Sequence, residues 1–194
     1  MERIIDSNYI SLENLVKESY SFSFEEVRNF LEHAIERWDT NKITFAALSA
    51  ALKFAYMYLN QDKLQFNFKN LIPIPICYFS SYLLLGASFL YSYLKSLSFD
   101  VKLFSLNKTN EYLREFIEEK RPSMIIFTIS QFLHAERLKK LVQDLLNNDL
   151  EILIGGIPFN YDKDLKKKFP QSVFPRDMNE LVHFFEDHME KRQD

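Results

Sequence analysis

The sequence predicts an α/β protein with a parallel sheet, preceded by a helical segment. Three observations carry this. From Ile74 onward, short apolar runs alternate with amphipathic stretches five times in succession, and repeated strand–helix units build parallel sheets with helices on both faces. The run Leu150–Ile154 is apolar except for Glu151 and stops at Gly155 and Gly156, as a buried parallel strand does where backbone must come close to something. The chain of 194 residues has only three glycines, so two in succession mark a place where a side chain would be in the way.

The elements follow in order. In residues 1–20, Leu12, Leu15 and Val16 suggest a short helix. Ser23 and Glu26 form a capping box, and Val27, Phe30, Leu31, Ala34, Ile35 and Trp38 make the stripe of the helix it opens. After a polar break at 39–42, Thr44 caps a second helix with Ala47, Leu48, Ala51, Leu52, Ala55 and Leu59 on one face. Phe45, Phe54, Tyr56 and Tyr58 widen its apolar area, so it is expected to be covered on more than one side. Residues 61–72 read as a linker. Strands are expected at 74–79, 101–104, 124–129, 150–154 and 172–174. Helices are expected at 86–97, 111–120, 135–147 and 161–169, with a last one capped by Asp177 and Glu180. The domain division is therefore 1–60 helical, 61–72 linker and 73–194 α/β.

Composition narrows the function. A formal charge of −3 argues against a surface that tracks phosphates, so no direct nucleic-acid binding is expected. The single Cys77 excludes an intramolecular disulfide and a cysteine-rich zinc site. No signal peptide is visible in residues 1–10, and a cytoplasmic address is the default. Asn70 to Leu94 lacks charge over a membrane-spanning length, but Pro73, Pro75 and six serines and tyrosines favour a strand followed by a buried helix.

Five such units most often adopt the flavodoxin-like order 2-1-3-4-5, whose ligand site lies at the carboxyl ends of strands one and three. Three segments converge there: Ser80 to Gly86, Thr128 to Phe132, and Gly155-Gly156. On these residues the region Ile74–Lys191 resembles a cobalamin-binding domain of the methionine synthase and corrinoid-protein type. That family carries Asp-x-His-x-x-Gly after strand one, Ser-x-Leu after strand three and Gly-Gly after strand four. The matching residues are Ser81, Leu83 and Gly86, then Ser130 and Phe132, then Gly155 and Gly156. Trp38 with the stretch Asn41–Ala47 resembles the helical cap of light- and cobalamin-responsive MerR-type repressors. There a tryptophan is followed, after nine residues, by Glu-His, and here those positions hold Leu48 and Ser49. The DNA-binding domain of those repressors has no counterpart in this sequence.

The resemblance implies a site whose shape is kept and whose metal chemistry is lost. Leu83 stands where the family has the histidine that binds cobalt from below, and Ser81 where an acid would orient it. The implied behaviour is weak cobalamin binding or none, with no histidine ligand, and with Phe45, Phe132 and Phe159 available to fill the cleft from within. Residues for a metal held by side chains alone, and residues for catalysis, are not found. Of the four histidines, His134 lies near the rim, and His183 and His188 are five apart, which is not metal-pair spacing on a helix. Ser130 has no elbow motif and reads as a hydrogen-bonding residue, and Lys166-Lys167-Lys168 as a solvated face.

The leading expectation is a non-catalytic sensory or regulatory module that binds a partner protein, or an apolar planar ligand. The alternative is a corrinoid carrier for a methyltransferase or mutase. A haem or other tetrapyrrole sensor, with His134 as axial ligand, is the lesser alternative. The aromatic excess on the second helix points to a homo-oligomer or a protein partner at the cap, because large exposed apolar patches mark contacts.

Overall fold

The computed structural model describes residues 22–62, 64–79, 85–107, 110–146 and 149–190, with side chains to 188. The helix expected around Leu12 to Val16 lies outside the described residues. The chain forms two compact units: one holds the described residues up to Lys69 together with Leu85–Val101, the other residues 70–79 and those from Lys102 onward.

The first unit is helical. Helix α1, Phe24–Asp39, opens with the expected capping box: the Glu26 amide donates to Ser23 Oγ, and the Ser23 amide to Glu26 Oε2 at 2.7 Å. The Ser23 amide thereby holds the Glu26 carboxyl below its ordinary pKa. The helix stops at Thr40, whose hydroxyl turns back to the Glu36 carbonyl, and Asn41 takes a left-handed φ of 54°. Thr44 then caps helix α2, Phe45–Leu59. Helix α3, Leu85–Ser96, packs against both α1 and α2. The Tyr93 hydroxyl of α3 donates to Glu32 on α1 at 2.8 Å; burial, with Glu32 second, pushes its pKa up to about 12. Tyr58 accepts the Phe22 amide and donates to the Phe22 carbonyl, which fixes the chain entering α1.

Of the aromatic residues of α2, Phe54 and Tyr58 are core, whereas Phe45 and Tyr56 are exposed. Residues 64–69 lack regular structure but are pinned to this unit. The Phe66 ring stacks on Phe24 at 4.6 Å and on Phe68 at 5.1 Å, and the Lys69 amide donates to the Ser98 carbonyl.

The second unit carries the sheet. Strands β1 (Ile74–Tyr78), β2 (Val101–Ser105), β3 (Met124–Thr128) and β4 (Glu151–Gly155) lie in the order β2-β1-β3-β4. The β1–β3 and β3–β4 ladders are parallel, with Ile126 opposite Ile76 on one side and Leu153 on the other. Pro75 lacks an amide hydrogen and precedes Ile76, the first residue of β1 that pairs with β3, near the start of the strand, where proline is tolerated. β3 is buried along nearly its whole length, which explains why it is the most uniformly apolar run.

The expected fifth strand is a correction: the sheet has four strands. Residues 172–174 give a single bridge, Val173 beside Leu153. Two hydrogen bonds hold it, Val173 amide to Ile152 carbonyl and Ile154 amide to Val173 carbonyl, each 2.9 Å. Pro170 and Pro175 flank this run and cannot donate to a longer ladder.

Helix α4, Glu111–Lys120, ends where Arg121 adopts φ 49° ahead of Pro122. Helix α5, Ala135–Leu145, turns Leu138, Leu141, Val142 and Leu145 inward. Of the expected helix at 161–169 only α7 (Lys163–Lys166) forms, capped by the Asp162 side chain, and a separate short helix, α6 (Ile157–Tyr161), precedes it. Helix α8, Met178–Glu190, starts with Asp177 accepting the Glu180 amide, as its sequence predicts. Cys77, Phe127, Ile152 and Ile154 form the centre of the core, against Leu113, Phe116, Leu138 and Phe169. Burial pushes the Cys77 thiol well above its ordinary pKa, so it stays protonated and inert. Among the described residues, no helix is long and apolar enough to cross a membrane.

Candidate functional site at the carboxyl rim of the sheet

In a parallel sheet of order 2-1-3-4, consecutive crossovers leave β1 and β3 in opposite directions. The carboxyl ends of these two strands are where sheets of this order take ligands. Phe79 follows β1 there, Ile129 and Ser130 follow β3, and Gly155 and Gly156 close β4.

The two glycines play different parts. Gly156 has φ 118° and ψ 169°, a region that is essentially glycine-only. A Cβ on it would fall onto the carbonyl oxygen of Ile129. The fold therefore requires this glycine, because the β4 turn lies directly on the backbone after β3. The Ile129 amide donates to the Gly155 carbonyl at 3.1 Å and holds that contact. Gly155 is not required in this way. Among the described residues a Cβ on it would meet nothing within 4 Å, and its φ is ordinary. In a chain with three glycines, one stands where the described residues leave open space.

Ser130 is half-buried and lies two residues beyond the end of β3. Phe132 opens a short 3-10 turn, Phe132–His134, and is 52% exposed. Leu133, Ile157 and Tyr161 are exposed on the neighbouring turns after β3 and β4. Phe159 points the other way, into the core against Phe169 and Phe174, and so does not fill the crevice.

A cluster that the sequence reading did not find surrounds Phe79. The His134 imidazole stacks on the Phe79 ring, centroids 5.3 Å apart and planes 17° apart. The Arg137 guanidinium lies 5.3 Å from the same centroid. Burial, then Arg137, lowers the His134 pKa, so the ring is neutral near neutral pH. Arg137 reaches the loop after β2 through two long hydrogen bonds, 3.4 Å to the Asn107 carbonyl and 3.5 Å to Asn110 Oδ1. His134 and Arg137 are one helical turn apart at the head of α5, a spacing visible in the sequence. The convergence of Phe79 and Asn107 on them is tertiary and had no local signal.

The remaining candidates are placed as follows. Ser81 and Leu83 lie outside the described residues. Gly86 is the second residue of α3, in the helical unit. In that unit Leu48 is 3% exposed and belongs to the core, Ser49 is half-buried, and Trp38 is partly exposed with its ring edge on Phe45 at 6.0 Å. An open groove of about 820 Å³ also runs between the edge strand β2 and α4. Lys102 bridges it over the rings of Phe104 and Phe116; a lysine on an edge strand blunts sheet-to-sheet association. Among the described residues, no three His, Cys, Asp or Glu side chains gather to hold a metal ion.

No family model matches the chain, and no curated protein does. Solved structures do. A cobalamin-binding protein from Desulfitobacterium hafniense DCB-2 superposes with a TM-score of 0.54 at 15% identity, over 96% of this chain and 95% of that one. A chain of the methanol:cobalamin methyltransferase complex MtaBC from Methanosarcina barkeri superposes with a TM-score of 0.51 at 13% identity. That match covers 84% of this chain and 62% of the other. A particular likeness to the MerR-type repressors is not seen in these matches. At such identities the likeness is one of fold, and the fold is the one that cobalamin-binding proteins use.

Proposed function

We propose that this chain is a non-catalytic module that binds a corrinoid at the carboxyl rim of its sheet. It does so without a histidine from the loop after β1 and presents the ligand to a protein partner. The observation that carries this reading is Gly155, a glycine beside which the described residues leave open space and which their packing does not demand. The residues fit the group. Gly155 admits a flat ligand segment against backbone, Ser130 offers a half-buried hydroxyl after β3, and exposed Phe132 and Ile157 offer apolar contact. A corrinoid brings its cobalt already held in a macrocycle, so the lack of a side-chain metal cluster among the described residues is no obstacle. When bound, it would supply cobalt–alkyl chemistry; the chain would bind, orient and shield it. The carrier role is favoured over the sensory one because one structural neighbour comes from a methyltransferase complex.

The test is a titration with adenosylcobalamin in darkness, followed by absorption and calorimetry. Saturable binding in the micromolar range is expected, with a spectrum that lacks protein imidazole on cobalt. No binding at about 1 mM, or an imidazole-ligated spectrum, would overturn the reading. The double variant Ser81→Asp, Leu83→His should tighten binding at least about tenfold, because it restores a donor and the acid that orients it.

The partner reading rests on the helical unit, where Trp38, Phe45 and Tyr56 remain exposed. Aromatic residues of this kind anchor interfaces. Light scattering at tens of micromolar should show a homo-oligomer, or pull-downs a stable partner. The substitutions Trp38→Ala and Phe45→Ala should dissolve the association; a monomer with no partner counts against it.

A further inference from the structure

Arg137 is half-buried, and among the described residues no carboxylate pairs with it. Its two hydrogen bonds, at 3.4 and 3.5 Å, sit at the outer limit of such contacts. A guanidinium has five donors in a planar fork suited to phosphate and carboxylate, so most of that capacity is unused. A partly desolvated charge without a counterion is costly unless something supplies one. The neighbouring His134 ring likewise has no hydrogen-bond partner among the described residues, and its stacking on Phe79 fixes the ring plane. Both groups stand at the head of α5, beside the end of β1, where an α/β sheet of this order takes ligands. The acid nearest in sequence, Glu136, is turned away to Lys168 at 2.8 Å.

We propose that Arg137 and His134, seated on Phe79, form an anion subsite for a phosphate or carboxylate group of the rim ligand. Arg137 supplies the charge and a two-pronged donor, and His134 a ring N–H. This rests on the corrinoid reading for the identity of the ligand, but the anion chemistry stands without it. The phosphate can belong to a corrinoid side chain or to a separate small anion.

The experiment separates these. Cobinamide and cobinamide phosphate differ only in the phosphate. The native protein should bind the second about tenfold more tightly, the effect of one charge-assisted pair. In Arg137→Gln that preference should fall below about twofold, and in Arg137→Lys, which keeps the charge and loses the fork, it should be intermediate. Thermal unfolding of both variants checks that they are folded, and Arg137→Lys carries the comparison if Arg137→Gln is not. Equal binding of the two corrinoids by the native protein, or a preference that survives Arg137→Gln, overturns the subsite and leaves the corrinoid reading standing. If neither corrinoid binds, the corrinoid reading falls and pyrophosphate followed by phosphorus NMR becomes the probe. Broadening that Arg137→Gln abolishes then upholds the anion subsite, and no broadening overturns it.

Discussion

Gly156→Ala should destabilise the protein by about 3–4 kcal/mol, seen as a lowered midpoint in urea with little change of slope. Two costs combine. The native φ of 118° with ψ 169° is a region that side-chain-bearing residues avoid at about 1–3 kcal/mol. The new methyl would also fall on the Ile129 carbonyl, which is backbone and cannot swing aside, and overpacking of that kind costs about 1–3 kcal/mol. Relief requires β4 to part from the turn after β3, and that strains the Ile129 amide to Gly155 carbonyl hydrogen bond. A loss below about 1 kcal/mol would mean that the turn relaxes freely and that the tight β3–β4 approach does not define the rim.

Local signals were legible in the sequence. The capping box at Ser23 and the cap at Asp177 each concern residues three apart, and both formed. Strands β1 to β4 are short, mostly apolar runs, and each appears with its boundaries within a residue or two. What failed was the fifth strand. Ser172 to Phe174 has the composition of a strand, but its pairing length depends on Pro170 and Pro175, and only one bridge survives between them. At the rim, Gly155 and Gly156 were seen as a pair, whereas their separate roles depend on what lies across from each, a fact about β3. The 134/137 spacing is legible in the sequence, but nothing near Arg137 marks its tertiary partners. It matters only when Phe79 and Asn107, some 58 and 30 positions earlier, are brought to it.

Gly155→Val should leave stability unchanged or raise it by about 0.5–1 kcal/mol, while weakening corrinoid binding at least about thirtyfold. The stability side follows from geometry. The residue ends β4 at an ordinary φ, and a Cβ there meets no described atom within 4 Å. Replacing glycine where the native backbone suits other residues removes freedom from the unfolded chain and costs the folded one nothing, and valine favours a strand. The binding side follows from the same open space. Two methyl groups would stand where the proposed ligand lies against backbone, and a ligand held about 1.5 Å further out forfeits much of its dispersion contact along with its hydrogen bond to Ser130. The pair of measurements divides the alternatives. Intact stability with lost binding assigns the open space to the ligand. Intact stability with unchanged binding places the ligand elsewhere on the rim. A clear loss of stability would show instead that Gly155, like Gly156, is kept for the fold, and the corrinoid reading would lose the observation that carries it.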